Sequence, residues 1–224
     1  MNHIQITASF GSLDLQVDAS FANQFIIVSG ENGAGKTSLL RCLAGLESPR
    51  GMLQLGDKIW LDSSAGFNLP AQQRQLGCVW PDAALLPWLS VEKNIVFGAD
   101  AVNSQWLLAL ATQFEITALM QRQPCMLSTG EMQRVSLARS LYRKPAVLLL
   151  DEPFSAQAPA IRQRLRLCLK GLQAELAIPV LMVSHDGADA RILAQQHWHM
   201  RAGKLLLSLA DMQESSRKNK GGKR

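Results

Sequence analysis

The chain of 224 residues lacks any run of roughly 18 consecutive apolar residues, so no segment is expected to cross a bilayer unaided. A leader is not expected either. The first residues, "MNHIQITASFGSLDLQV", alternate polar and apolar instead of placing charge before an apolar block, and no signal peptide is expected. Paired cysteines are missing too. Cys42, Cys78, Cys125 and Cys168 lie far apart with no C-x-x-C, which argues against a zinc or redox motif and leaves reduced thiols as the expectation. Charge is scarce, at 18% of residues, and the net charge of +5 equals that of Arg217, Lys218, Lys220, Lys223 and Arg224 in the tail. The body is therefore near neutral, and nucleic acid is not an expected partner. Segment 211–224 reads as a solvated, disordered basic tail, with contact to acidic lipid headgroups or RNA as the alternative.

What is present is a core. Hydrophobic residues make up 47% of the chain, as a globular domain with a substantial interior requires. Segment 3–17 alternates like strands, and "QFIIVSG" (24–30) is a short β-branched run ending in glycine, a buried strand feeding a loop. "KTSLLRCLAGL" (36–46) has helical spacing in Leu39, Leu40, Leu43 and Leu46. "GMLQLGDKIW" reads as a strand pair. From about 84 to 140 the character is helical, with breaks at Pro87 and Pro124. "AVLLLD" and "IPVLMVSHD" read as two more buried strands around a helical stretch at 160–177. Strands alternating with helices imply a mostly parallel sheet.

"GENGAGKT", residues 30–37, fits G-x-x-x-x-G-K-[ST] between a strand and an amphipathic helix. Glycines at 30, 33 and 35 let successive backbone N–H groups converge on one concavity. The helix that follows adds its positive end. The residues expected to hold ATP are Gly30, Glu31, Asn32, Gly33, Ala34, Gly35, Lys36, Thr37 and Ser38. Lys36 places an ammonium on the β- and γ-phosphates, and Thr37 offers a hydroxyl to Mg²⁺, a hard ion that takes oxygen ligands. In "LLLDEP" a buried strand delivers Asp151 and Glu152 to its end. Asp151 is the expected second Mg²⁺ partner, and Glu152 the group that polarises an attacking water. The competing reading is two acids at a helix N-terminus, favourable for dipole reasons alone.

"LSTGEMQRVSLARSL" (127–141) precedes these acids, and "VSHD" with His185 follows them. Phosphate loop, this segment, acid strand and histidine occur in the order found in the ATP-binding-cassette (ABC) ATPases, which the chain resembles over about residues 1–207. The resemblance implies an α/β P-loop NTPase of ABC type. Its sheet would be mostly parallel at the core, with an N-terminal antiparallel β subdomain and an inserted helical lobe. Residues 1–210 would form the ATPase domain, with 1–83 and 140–210 as core and β subdomain and 84–139 as the lobe. The signature Leu127, Ser128, Thr129, Gly130 and Glu131 would bind the γ-phosphate held by a second subunit, so that a homodimer completes two sites. His185 would bond the γ-phosphate and orient water. Phe10 would stack on adenine, or is a plain core phenylalanine. Lys36, Glu152 and His185 are the expected catalytic residues.

The stretch 69–95 is similar to importer ATPases, and "GAGKTSLL", "DAALLP" and "IPVLMVSHD" to the molybdate-type branch. That branch usually carries a C-terminal β domain, which is not expected in a chain ending in a basic tail. The resemblance implies an ATPase subunit at the cytoplasmic face of the inner membrane. It would energise a permease for molybdate or another small ion, with Mg²⁺ as cofactor and an external binding protein as indirect partner. Trp88 and Leu89 are candidate permease anchors, or lobe core. The alternatives are a soluble regulatory or nucleic-acid-associated ABC ATPase, and a weakly active cassette paired with a paralogue. Three positions depart from the family pattern. Pro81 replaces the glutamine of V-F-Q-D. Ser155-Ala156-Gln157-Ala158 stands for S-A-L-D, so an aspartate is missing. Thr129 replaces a signature glycine. ATP binding is expected to survive these changes, with hydrolysis slow or weakly coupled.

Overall fold

The structure is a computed structural model that describes residues 1–207; the basic segment expected at 211–224 lies outside the described residues. In chain order the elements are β1 (Asn2–Phe10), β2 (Leu13–Phe21), β3 (Phe25–Gly30), α1 (Lys36–Ala44), β4 (Arg50–Leu55), β5 (Lys58–Asp62), β6 (Phe67–Asn68), β7 (Leu76–Val79), α2 (Val91–Val96), α3 (Ser104–Gln113), α4 (Thr129–Tyr142), β8 (Val147–Asp151), α5 (Pro159–Leu176), β9 (Val180–Val183), α6 (Gly187–Leu193), β10 (Gln196–Arg201) and β11 (Lys204–Leu207). They fall into two compact units. Among the described residues, one is 1–74 with 183–207, the other 75–182.

In the first unit the strand order is β6-β5-β4-β1-β2-β11-β10-β3. β1 and β2 are antiparallel from Asn2 opposite Phe21 to Phe10 opposite Leu13. Their period-2 patterning decides this register. Ile4, Ile6, Leu15, Val17, Ala19 and Phe21 are buried while Gln5, Thr7, Gln16 and Asp18 face out, and a slip of one residue would turn every apolar side chain to water. β3 differs. Phe25 to Val28 are all buried, as befits a central strand, and it runs parallel to β10. Trp198 of β10 is fully buried and packs edge-on against Phe21, ring centres 5.5 Å apart. The strands β10 and β11 were not assigned from sequence, because "QHWHMR" carries histidine and glutamine at its outward positions.

Helix α1 buries Leu39, Leu40 and Leu43 and ends at Gly45 in the left-handed region, whose N–H bonds Arg41 O and Cys42 O. Leu46, expected on the apolar face of this helix, instead lies beyond the cap and is 49% exposed. The carbonyl end of α1 is held by Arg74, itself only 3% exposed. Its guanidinium donates to Cys42 O (3.0 Å), Leu43 O (2.7 Å), Leu69 O (2.9 Å) and Asn68 Oδ1 (2.8 Å). It also lies over the Trp60 ring at 5.6 Å. A planar five-donor cation suits this task because the last helical carbonyls have no partner within the helix.

In the second unit the order is β9-β8-β7, with β7 parallel to β8. Every residue of β8 is buried, the continuous apolar run expected of an inner parallel strand. Helix α4 begins with a full capping box. Ser128 Oγ accepts from Glu131 N–H, and Ser128 N–H donates to the Glu131 carboxylate at 2.8 Å. α2 and α3 are capped by Ser90 and Asn103. Among the described residues no helix is long and apolar enough to cross a membrane.

Candidate nucleotide site

In the first unit β3 passes directly into the phosphate loop. Gly30, Gly33 and Gly35 have φ of +144°, +77° and +96°. Gly30 is fixed by close approach as well as by conformation: a Cβ there would lie 2.2 Å from Met200 O. The loop is drawn together by Ala34 N–H on Glu31 O (3.2 Å) and by Gly203 N–H on Ala34 O (3.1 Å). Lys36 is 7% exposed, and its ammonium donates to Gly30 O and Glu31 O, both at 2.8 Å. Helix α1 starts at Gly35 with no side-chain cap and no acid in its first turn. Its positive end is therefore not screened by a carboxylate of its own. Thr37 is exposed.

His185 sits between two anchors. Ser184 Oγ donates to the buried Asp189 carboxylate and accepts from Asp186 N–H at 3.0 Å. Asp186 then caps α6 through Ala188 N–H at 2.8 Å. A cleft of about 550 Å³ is lined by Ser29, Gly30, Glu31, Asn32, His185 and His199. Thus the histidine and the phosphate loop, more than 150 residues apart in sequence, line one cavity. Ser29 and His199 were missed in the sequence. Their pairing, Ser29 Oγ to His199 Nδ1 at 3.1 Å, depends on β3 and β10 being neighbours, which no local pattern reveals. Phe10 is half-buried at the end of β1, opposite Leu13.

In the second unit Asp151 ends β8 and is 3% exposed. Glu152 follows with φ +50°. A left-handed non-glycine residue costs on the order of 1–3 kcal/mol, and such strain concentrates at functional positions. Its carbonyl is held by Ser155 N–H (3.2 Å) and Ser155 Oγ (3.1 Å). The signature residues gather at the start of α4. Leu127 is buried, Ser128 and Thr129 are exposed, and Gly130 and Glu131 are half-buried. The N–H and hydroxyl of Ser128, with Arg134 and Arg122 nearby, hold the Glu131 carboxyl below its usual range.

Pro81, at the departure from V-F-Q-D, occupies the second position of a tight turn closed by Ala83 N–H on Trp80 O at 3.0 Å. Ala83 and Ala84 both have positive φ, +57° and +41°, and Arg139 Nη1 donates to Ala84 O at 3.1 Å. Trp88 is 69% exposed. Its loop is held by the buried Asn94, whose side chain accepts from Leu86 N–H and donates to Leu86 O, Leu89 O and Ser90 O, all within 3.1 Å. Loss of solvent pushes the Cys42 and Cys78 thiols up to about 12 and the Cys168 thiol up to about 11, which disfavours the thiolate. Among the described residues no three His, Cys, Asp or Glu side chains form a ready metal cluster. Thr37, in the first unit, and Asp151, in the second, each offer an oxygen, the donor type that magnesium takes.

A strand, a glycine loop led by Lys36 and a helix define a P-loop nucleotide-binding protein. Residues 14–155 match the ABC transporter family, to which the chain belongs. It is 38% identical to the iron(III)-ion import ATP-binding protein of Pseudomonas fluorescens, over 95% of this chain and 63% of that protein. It is 36% identical to the molybdenum import ATP-binding protein of Haemophilus ducreyi, over 92% and 59%. It is 37% identical to a probable sulfate/thiosulfate import ATP-binding protein of Chlorella vulgaris, over 88% and 84%. The chain spans about 60% of the length of the first two relatives. The fold also matches that of the dimeric ATP-binding cassette MJ0796 bound to ADP and phosphate, with a TM-score of 0.77 at 22% identity, covering 91% of this chain and 95% of that one.

Proposed function

We propose that the chain is the ATP-binding and ATP-hydrolysing subunit of an ABC importer. The observation that carries this reading is the phosphate loop, with three left-handed glycines, a buried Lys36 and an uncapped α1 behind it. Lys36 and the first amides of α1 bind the β- and γ-phosphates. Thr37 and Asp151 would hold Mg²⁺, which would supply neutralisation of phosphate charge. Glu152 accepts the proton of a water whose oxygen attacks the γ-phosphorus, and ADP departs. His185 orients that water through the γ-phosphate, and Phe10 stacks on adenine. The signature of a second copy, Leu127 to Glu131, closes over the nucleotide. The names of the relatives, import ATP-binding proteins for iron, molybdenum and sulfate or thiosulfate, support a small-ion importer with permease partners and an external binding protein. The exposed Trp88 on its pinned loop is the permease contact. The work is done at the cytoplasmic face of the membrane.

The test is calorimetric titration with Mg-ATP. Replacing Lys36 by Ala removes hydrogen bonds to a charged group, each about 1.5–3 kcal/mol, and weakens binding by roughly 10- to 150-fold per bond lost. Equal affinity of the Lys36→Ala variant would sink the reading. Pro81 and the uncapped Ala158 favour slow turnover, as in a weakly active cassette paired with a paralogue. A purified homodimer turning over at an ordinary 1–100 per second, roughly, would exclude that version.

A further inference from the structure

The junction between the paired acids and α5 is built without its usual fastening. Ala158 is the N-cap of α5 and Pro159 its first residue, and Ala158 gives the first-turn amides no side-chain acceptor. Asp, Asn, Ser or Thr ordinarily does so at this position. The segment is held by side chains of another helix instead. Gln157 is 5% exposed, and its amide nitrogen donates to Gly130 O at 2.8 Å and to Gln133 Oε1 at 3.3 Å. Gln133 is 1% exposed. It donates to Ser155 Oγ at 2.8 Å and accepts from Ala156 N–H at 3.2 Å. A Cβ on Gly130 would lie 2.9 Å from Ala156 O, so the two backbones meet directly. Arg162, one turn into α5, donates to Gln157 O at 3.1 Å. A cleft of about 450 Å³ has Ser128, Gly130, Arg134 and Gln157 among its walls.

We propose that Gln157 is a positioning residue that locks segment 155–158 to the first turn of α4, so that Ser128 and Gly130 move with it as one body. This rests on the reading of the chain as an ATPase whose signature meets a nucleotide. A buried amide is stable only with its donors used. Leucine at 157 would leave Gly130 O and Gln133 Oε1 each short of one donor.

Two measurements test it on the full chain: hydrogen exchange without nucleotide, and steady-state ATPase kinetics. In Gln157→Leu the Ala156 amide exchanges about tenfold faster, and kcat falls about tenfold while KM for Mg-ATP stays within about twofold, because geometry at the signature is lost and the phosphate loop is untouched. Gln157→Glu, equal in shape but unable to donate, does the same. Adding Ala158→Asp to Gln157→Leu gives α5 an acceptor but returns no donor to Gly130 O or Gln133 Oε1, and leaves both readouts within about twofold of the single variant. Protected β8 amides certify that each variant is folded. Unchanged exchange in Gln157→Leu, or a double variant restored to the parent by the cap alone, overturns the proposal. Full turnover in a Lys36→Ala control would overturn the ATPase reading instead, and the exchange arm would still decide the lock.

Discussion

The phosphate loop and the segment after the paired acids are both short connections from a buried strand to a helix, and both helices begin without a side-chain cap. They are held by opposite means. The loop at 30–35 takes its shape chiefly from the backbone, through positive-φ glycines and the Glu31 and Ala34 carbonyls, with one side chain, Lys36, reaching across the Gly30 and Glu31 carbonyls. The segment at 152–158 takes its shape from side chains, chiefly Gln133, Ser155 and Gln157. A backbone-shaped loop depends mainly on glycine in fixed places. A side-chain-shaped loop can exchange its fastenings, and there the chain departs from the family pattern.

The comparison is sharpest at Glu152. If the strained acid supplies the base, Glu152→Gln lowers kcat by roughly 10²- to 10⁴-fold with Mg-ATP affinity retained. Steady-state turnover checks this, and equal rates would remove Glu152 from the chemistry. Next in size is the support behind the phosphate loop. Arg74→Met deprives the end of α1 and its neighbours of four hydrogen bonds and is expected to cost about 2–4 kcal/mol in a denaturant titration. Arg74→Lys does not restore this, because an ammonium cannot serve four separated acceptors in one plane.

The smallest effect is at the signature. Glu131 has its carboxyl lowered from 4.5, first by the Ser128 N–H and then by the Ser128 hydroxyl. A depressed carboxylate contributes stability that is full above the unfolded value and lost as pH falls through the folded one. The melting temperature of the parent should therefore drop more steeply than that of Glu131→Gln when pH is lowered from 6 to 3. Parallel curves would mean that the capping box contributes nothing. Asp62 and Glu115 are also lowered, by Ser64 and Arg164, and act equally in both proteins, so the difference isolates Glu131.

Much of this was legible in local pattern. The phosphate loop, the acids at the end of β8 and the helix at 36–44 announce themselves by spacing, because each is a short-range device whose parts are sequence neighbours. Leu46 misled because apolar periodicity runs on past a glycine cap that ends the helix. Ser29 and His199, and Gln133 and Gln157, were illegible for the opposite reason: each pair is joined by chain folding across 24 residues or more.

By itself the sequence determined that a strand must turn through Gly30 and Gly35 into a helix led by Lys36, since only glycine holds those dihedral angles without clash. It also determined that two acids emerge from a run of buried leucines. Tertiary structure alone decided that His185 shares a cleft with that loop, and that the segment before an alanine-capped helix is fastened to α4 by its glutamine. Hydrogen bonds between distant segments depend on where the backbone brings their donors and acceptors, and that is a property of packing.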